Sequence, residues 1–483
     1  MIIPDLTGLS IKVKNKKSVL AGFNPISYNI IRRFNKTRSY KACKNLCNAP
    51  FRNLYFSANG QVSVCCYNMQ YIVGDIKNNS ITEIWNSEKI KKLREHIANN
   101  DLSLGCGACK SELFLQNFEN LHIKLYDTHF AISNFPTSLG FQIDNSCNLE
   151  CTMCSGDLSS KIFLNREHRT LIKNMYDENF IKQLSEFIPH LKFCLFSGGE
   201  PFVINSYYRI WEMIIQHNPL CNIVVQTNGT ILNDKIKNLL EKGTFNISVS
   251  IDSLNQETYE KIRVNAKLDT TLKNLGYFKD YCHANNRFIG LSVCVMNQNW
   301  MEIPKITEFC SMNNINIIFN TVRFPAKDAL WILNSNELKE IIDYYGGFLF
   351  TTKTDVQKRN KKSFENLINL IVSWYNIALK FENHKHVTIS EKEFKPLIDE
   401  LILKLETSLN VFYDGNNMKQ AYCKSIINKI MTILNNIPND DIKYRSITII
   451  NSFNGEKILA NIFRENDESL VKLIKNISKY AEM

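Results

Sequence analysis

Glycine and proline are scarce in this chain, 18 and 11 among 483 residues. Disordered linkers are rich in such residues, so their scarcity argues against long ones. No stretch reaches the ~18 uninterrupted apolar residues of a membrane span. The N-terminus, MIIPDLTGLSIKVKNKK, places its charge after its apolar part and interrupts that part with Pro4 and Asp5. It therefore does not read as a signal peptide. Such a chain is expected in the cytoplasm, where thiols stay reduced. The net charge of +11 leans toward anionic partners. Its basic residues are scattered, however, apart from KVKNKK at 12–17 and KRNKK at 358–362. Neither nucleic acid nor a membrane is an expected partner. Internal repeats and low-complexity stretches are also absent.

What the sequence does have is cysteine, fifteen in all. In a reducing compartment that number points to metal or redox chemistry ahead of disulfides. Nine lie before position 155: Cys43, Cys47, Cys65, Cys66, Cys106, Cys109, Cys147, Cys151 and Cys154. The others, Cys194, Cys221, Cys282, Cys294, Cys310 and Cys423, sit singly, most of them in apolar runs. These read as small buried hydrophobes.

From about 138 onward, strand-like runs alternate with helical patterns. SLGFQID (138–144), LKFCLFS (191–197), NIVVQT (222–227), FNISVSID (245–252), FIGLSVCVM (288–296) and INIIFNTV (315–322) read as strands. Helical periodicity covers 169–188 and lies near 205–217, 233–242, 255–284 and 300–313. Strands separated by helices imply parallel βα units. The fold class is α/β: a partial (β/α)6 TIM-like barrel with a small N-terminal cluster-binding module and a C-terminal helical extension.

CNLECTMC (147–154) follows the first strand, GGEP (198–201) the second, TNG (227–229) ends the third and SID (250–252) the fourth. All four lie at the carboxyl ends of parallel strands, where barrel enzymes assemble their sites. Three cysteines on one tight loop are one short of the four thiolates that close an iron–sulfur cubane. They can hold three irons and leave the fourth exchangeable, as an open catalytic site requires. GGEP adds two residues without side chains, which let a ligand approach the backbone, and a carboxylate able to bind an ammonium.

With these motifs the sequence resembles the radical S-adenosylmethionine (SAM) superfamily, over about 138–325. The resemblance implies a [4Fe-4S] cluster on Cys147, Cys151 and Cys154, with SAM chelating the open iron. Reductive cleavage to a 5′-deoxyadenosyl radical would then lead to hydrogen abstraction from a substrate. It further implies that Gly198, Gly199, Glu200 and Pro201 receive SAM, with Glu200 on the methionyl amine. Thr227 and Asn228 would lie near the ribose, Ser250 and Asp252 on the rim, and Arg263 near a carboxylate or ribose. Met153 stands where the family often has an aromatic residue beside adenine. From the residues alone, Asp252 and Arg263 read equally well as a rim salt bridge, and Thr227 and Asn228 as a turn.

The earlier cysteines have their own frame. NLYFSANGQVSVCC reads as a β-hairpin turning at Asn59-Gly60. SITEIWNSEKIKKLREHI reads as an amphipathic helix opened by a Ser80–Glu83 capping box. Such a small frame gains stability from a bound metal. The stretch resembles the auxiliary-cluster modules called SPASM, or twitch in the single-cluster form. The resemblance implies an auxiliary [4Fe-4S] cluster on Cys47, Cys65, Cys106 and Cys109, with Cys66 a neighbour or substitute and Cys43 a bystander. Here the module precedes the barrel, whereas in the better-known enzymes it follows.

The expected organisation is an N-terminal segment (1–40), the auxiliary module (41–125), the radical SAM core (136–330) and a helical extension (335–483). Enzymes with such modules most often modify peptides, so a ribosomally made peptide is the first substrate expectation and a sugar or aminoglycoside-type alcohol the second. No peptide-binding leader domain is evident in the first 40 residues. An electron donor such as flavodoxin or ferredoxin is an expected partner. A zinc-stabilised binding protein on a degenerate barrel is the alternative of another class, and intact GGEP argues against it.

Overall fold

Alternation along the strands decides the architecture. The computed structural model describes residues 25–38, 45–68, 70–114, 118, 121–127, 134–168, 175–322, 325–382 and 391–412, with scattered positions between 425 and 447. Cys43, Cys423, the basic run at 12–17 and most of the chain beyond 412 lie outside the described residues. The strands, forming one sheet, are β1 (Asn53–Ser57), β2 (Gln61–Ser63), β3 (Gly74–Asp75), β4 (Ser138–Gln142), β5 (Phe193–Phe196), β6 (Asn222–Thr227), β7 (Phe245–Ser250), β8 (Ile289–Val295) and β9 (Asn316–Thr321). Their spatial order is β3, β2, β1, then β4 through β9. From β4 to β9 every neighbouring pair is parallel, and helices make the crossovers. The sheet is not closed, which fits the expected partial barrel.

One face of each strand is apolar and packs under the helices. Phe56, Phe141 and Phe196 stack in sequence across β1, β4 and β5, with centroids 5.6 and 4.8 Å apart. Trp211, on helix Asn205–His217, then bridges Phe196 and Phe245 at 5.4 and 5.8 Å. Each such pair contributes about 0.5–1.5 kcal/mol beyond the area it buries. Ile247, Val249, Leu291 and Val293 continue this face and are fully buried. The opposite face begins at the strand starts with Asn222, Asn246 and Asn316, whose side chains bond to nearby backbone.

The cysteine module, expected as a small hairpin-and-helix frame, shares the barrel's sheet. Strand β1 pairs in parallel with β4 from Asn53↔Ser138 to Ser57↔Gln142, so the hairpin extends the barrel sheet. All five β1 residues are buried, Leu54 and Phe56 completely. A strand that apolar needs a sheet partner on both sides. The hairpin turns through Ala58–Gly60, with Gly60 at φ +85°, as three-residue loops require. Helix Ile81–Trp85 opens with the expected capping box: Glu83 N donates to Ser80 Oγ at 3.2 Å, and Ser80 N to Glu83 Oε2 at 2.8 Å.

Three helical expectations are corrected. The pattern at 80–97 is two helices, Ile81–Trp85 and Glu88–Ala98, because Ser87 starts the second by accepting from Ile90 N at 3.3 Å. The pattern at 169–188 becomes helix Glu178–Phe187, capped by Asp177; residues 175–177 are not helical and 169–174 lie outside the described residues. Asp177 accepts from Phe180 N at 3.0 Å and so sets the start. The pattern at 255–284 splits into Gln256–Ile262 and Leu268–Ala284. The break at 263–267 turns backbone carbonyls toward the cysteine loop: Thr152 N donates to Ile262 O and Glu150 N to Val264 O.

Helix Asp355–Glu382 covers the open edge at β9. Buried Asn360 accepts from Ile317 N and donates to Ile315 O, both at 2.9 Å, which satisfies the edge strand's backbone. No helix among the described residues is long and apolar enough to cross a membrane.

Candidate active site and cysteine cavity

After β4 the chain enters the loop that carries Cys147, Cys151 and Cys154, and polar contacts hold it throughout. Cys147 N donates to Ser160 Oγ at 3.2 Å, Ser159 Oγ to Leu149 O at 2.7 Å, and Asn145 Nδ2 to Gly156 O at 2.8 Å. Cys151 is buried, whereas Cys147 and Cys154 are half-buried. Burial raises the Cys147 thiol to about 11 and pushes up that of Cys151. The Arg263 guanidinium opposes that rise at Cys151, its Nη1 lying 3.9 Å from Cys151 Sγ.

GGEP packs directly on this loop, with Glu200 N donating to Ser146 O at 2.8 Å. Gly198 and Gly199 have φ of +78° and +51°. A Cβ on Gly199 would lie 2.2 Å from Ser146 O, so no other residue fits there. Glu200 is completely buried. Thr227 Oγ1 and Phe202 N donate to its Oε1 at 2.6 and 3.1 Å, and Asn228 N to its Oε2 at 2.6 Å. Burial lifts the Glu200 carboxyl to about 6, and the three donors limit the rise. It stays mostly ionised at neutral pH, aimed and without rotational freedom. Pro201 opens the turn that follows it.

Asn228, beyond its backbone bond, donates from Nδ2 to Asn148 Oδ1 at 2.9 Å, and Asn148 donates to Thr230 Oγ1 at 2.8 Å. The third strand end is thus tied to the cysteine loop by an asparagine that motif reasoning missed. Ser250 sits at the end of β7 and Met153 packs, half-buried, against the core. Asp252 and Arg263 form a buried ion pair, with Nε and Oδ2 2.7 Å apart. Asp252 Oδ1 also accepts from Cys294 N at 2.7 Å. Of the two sequence readings for these residues, the salt bridge is the contact present.

The second cysteine group surrounds a cavity. Cys47, Cys65, Cys106 and Cys109 line it together, with Pro50, Val64, Tyr126 and His122 among the other walls. Burial raises the Cys47 thiol first, and the negative potentials of Cys65 and Cys109 raise it further. Cys106 and Cys109 are pushed up likewise, by burial and then by neighbouring cysteines. Such thiols stay protonated until a metal displaces the proton. Cys66 turns away: its Sγ lies 3.3 Å from His122 Nε2, and the imidazole stacks on Tyr67. Burial lowers His122 to about 4, so this imidazole is neutral. Nothing in the spacing of the adjacent cysteines distinguishes Cys65 from Cys66; the chain's path after β2 does. Among the described residues, no three His, Cys, Asp or Glu side chains converge on a single ion site.

Among the remaining cysteines, Cys194, Cys221, Cys282 and Cys310 are buried as expected, though Cys194 and Cys221 lie side by side at 3.8 Å. Cys294 departs from that reading and lies half-buried.

An open barrel with a three-cysteine loop, a buried carboxylate beside it and a four-cysteine cavity defines a cluster-dependent enzyme. Residues 142–310 match the Radical SAM superfamily, and residues 47–110 match an iron–sulfur cluster-binding domain. The chain thus contains a radical SAM domain and carries a SPASM-type iron–sulfur module ahead of it. Its cofactors are therefore a [4Fe-4S] cluster with SAM and auxiliary iron–sulfur chemistry. It is 26% identical over 240 residues to a probable GTP 3′,8-cyclase of Methanocaldococcus jannaschii, covering 48% of this chain and 74% of that protein. It is 26% identical over 212 residues to the GTP 3′,8-cyclase of Aliarcobacter butzleri, covering 42% and 61%. Among solved structures it is similar to Streptococcus suis SuiB bound to S-adenosylmethionine, at 18% identity and a TM-score of 0.31, covering 53% and 56%. Its likeness to anSMEcpe with bound AdoMet has 15% identity and a TM-score of 0.32, covering 43% and 58%. Likenesses that slight bear on neither substrate nor mechanism.

Proposed function

We propose that Cys147, Cys151 and Cys154 hold the catalytic four-iron cluster, and that Glu200 receives the methionyl ammonium of SAM. In the same reading Cys47, Cys65, Cys106 and Cys109 hold an auxiliary four-iron cluster, and the substrate is a peptide. The observation that carries the first part is Glu200: a buried carboxylate, fixed by three donors, on a loop bonded to the cysteine loop. Such a group suits an ammonium, which supplies the charge that burial otherwise leaves uncompensated.

When bound, the cluster and SAM supply a carbon radical that removes a hydrogen atom from the substrate. The chain's own residues bind and orient. Gly198 and Gly199 leave room for close approach to the backbone, and Thr227 and Asn228 keep Glu200 in one orientation. Arg263, anchored by Asp252, holds a positive charge beside Cys151. In this reading Thr227 and Asn228 also lie near the ribose, Ser250 lies on the rim and Met153 stands beside adenine. The peptide assignment is supported by the matched iron–sulfur domain, which most often accompanies peptide modification. GTP, named for the two relatives, calls for a cation cluster, and the described strand residues of the barrel's inner face include no Lys or Arg.

Iron analysis of protein reconstituted without oxygen tests this reading. Two four-iron clusters give about 8 irons per chain with matching sulfide. Cys151→Ala is expected to drop that to about 4 and to reduce 5′-deoxyadenosine formation to background. Undiminished 5′-deoxyadenosine in that variant would falsify the catalytic assignment, and zinc in place of iron would remove both clusters.

A further inference from the structure

The inner face of the barrel sheet, away from the helices, carries a consistent chemistry. Register places Gln142, Gln226, Ser248, Ser250, Ser292 and Asn320 on this face, at or near the strand ends that bear the site. From β1 to β9 the positions on this face hold hydroxyls, amides, one thiol, small residues and a few apolar side chains. On β1 and β4–β9 none is Asp, Glu, Lys or Arg, whereas Asp75 of β3 shares this face through its pairing with Gln61, and Asp144 and Asp252 follow on it just past β4 and β7. The face is open in part: Gln226 and Asn320 are exposed and Leu195 and Val224 half-buried, whereas Ser248, Ser250 and Ser292 are buried. Two cations flank the cysteine loop, and each already has an acidic partner, Arg166 with Glu150 and Arg263 with Asp252.

A phosphate or carboxylate entering such a space loses water and, among the described residues, meets no cation that lacks an acidic partner. Side-chain hydroxyls and amides both donate and accept. They suit a ligand that does the same, whether its groups are peptide amides or sugar hydroxyls. We infer that the moiety presented to the reaction centre is uncharged and dense in hydrogen-bonding groups, with any phosphate or charged end held outside the barrel. The inference rests on the proposed reaction centre at the strand ends and narrows what reaches it.

The test uses the reconstituted, SAM-loaded protein and three probes: a pool of acetylated, amidated peptides lacking Asp, Glu, Lys and Arg; a pool of neutral glycosides; and GTP. Binding is read by saturation-transfer NMR. Transfer to the peptide pool or to the glycoside pool is expected, and which of them binds identifies the source of the amide or hydroxyl groups. Gln226→Lys, at an exposed position that tolerates the change, is expected to weaken that binding about tenfold or more. Asn320→Lys makes the same test at an exposed position on β9, further across the face, with SAM affinity as the control for folding. Saturable GTP binding displaced by a neutral pool would overturn the inference, as would neutral-pool binding unaffected by both lysines. SAM cleavage without substrate is measured on the same preparation. Its absence would sink the reaction centre while leaving the binding result standing.

Discussion

The barrel's cysteines sit within one loop, at 147, 151 and 154, whereas those of the cavity are spread from 47 to 109. The first group is held in place by its own backbone and by hydrogen bonds from Ser159, Ser160 and the broken helix at 263–267. The second exists only when a loop, a hairpin and helix Gly107–Phe114 come together. A metal that ties distant segments removes more chain entropy than one bound within a single turn. In the proposed reading, iron would contribute mainly chemistry in the barrel loop and structure as well in the module.

Removing iron should expose that difference most strongly. After anaerobic chelation, hydrogen exchange is expected to accelerate about a hundredfold or more around the cavity, in 45–68 and 104–114. The loop at 143–159 should change far less. Equal loss of protection in both regions would show that the module stands without its cluster.

The adjacent cysteines sharpen the same contrast. Cys65→Ala should cost about half the iron and lower the melting temperature, because it removes one wall of the sulfur ring. Cys66→Ala should leave iron near the wild-type value, since its thiol meets His122 and not the cavity. Equal iron loss in the two variants would mean that either cysteine can close the ring.

Around the barrel's cysteine loop, ionic and hydrogen-bonded contacts hold the chain in place. Arg263→Gln strands the Asp252 carboxylate in the interior and is expected to cost about 3 kcal/mol of stability. Adding Asp252→Asn should recover most of that loss, because no buried charge is then left unpaired. Denaturant melts of the single and double variants decide it; additive losses would show that the pair is not coupled.

What could be read from the sequence follows the same division. The three-cysteine loop, GGEP and the strand-end positions are local patterns, and the chain carries them in contiguous letters. The pairing of β1 with β4 joins segments about eighty residues apart and depends on a partner that local periodicity cannot name. The break after Ile262 escaped because its cause is tertiary: Ile262 and Val264 turn their carbonyls to the cysteine loop. The uncharged inner face was present in the letters, but it becomes a face only once β-strand register aligns it. Asn148 carries no motif, and its role emerges from Asn228 and Thr230 on either side.

The smallest effect is expected at Thr227, and it separates geometry from charge. Its hydroxyl stabilises the ionised form of Glu200. Thr227→Val keeps the shape and removes that donor, which moves the Glu200 titration upward by roughly one pH unit. In the wild type, SAM affinity should fall as pH drops through about 6, because a protonated carboxyl no longer holds an ammonium. In the variant the fall should begin closer to neutral, while affinity well above neutral changes little. Equilibrium dialysis of SAM across this range is the measurement. A profile that shifts with Thr227 assigns the pH dependence to Glu200, whereas an unmoved profile places the methionyl ammonium on another group and leaves the Thr227–Glu200 bond a purely structural contact of the barrel.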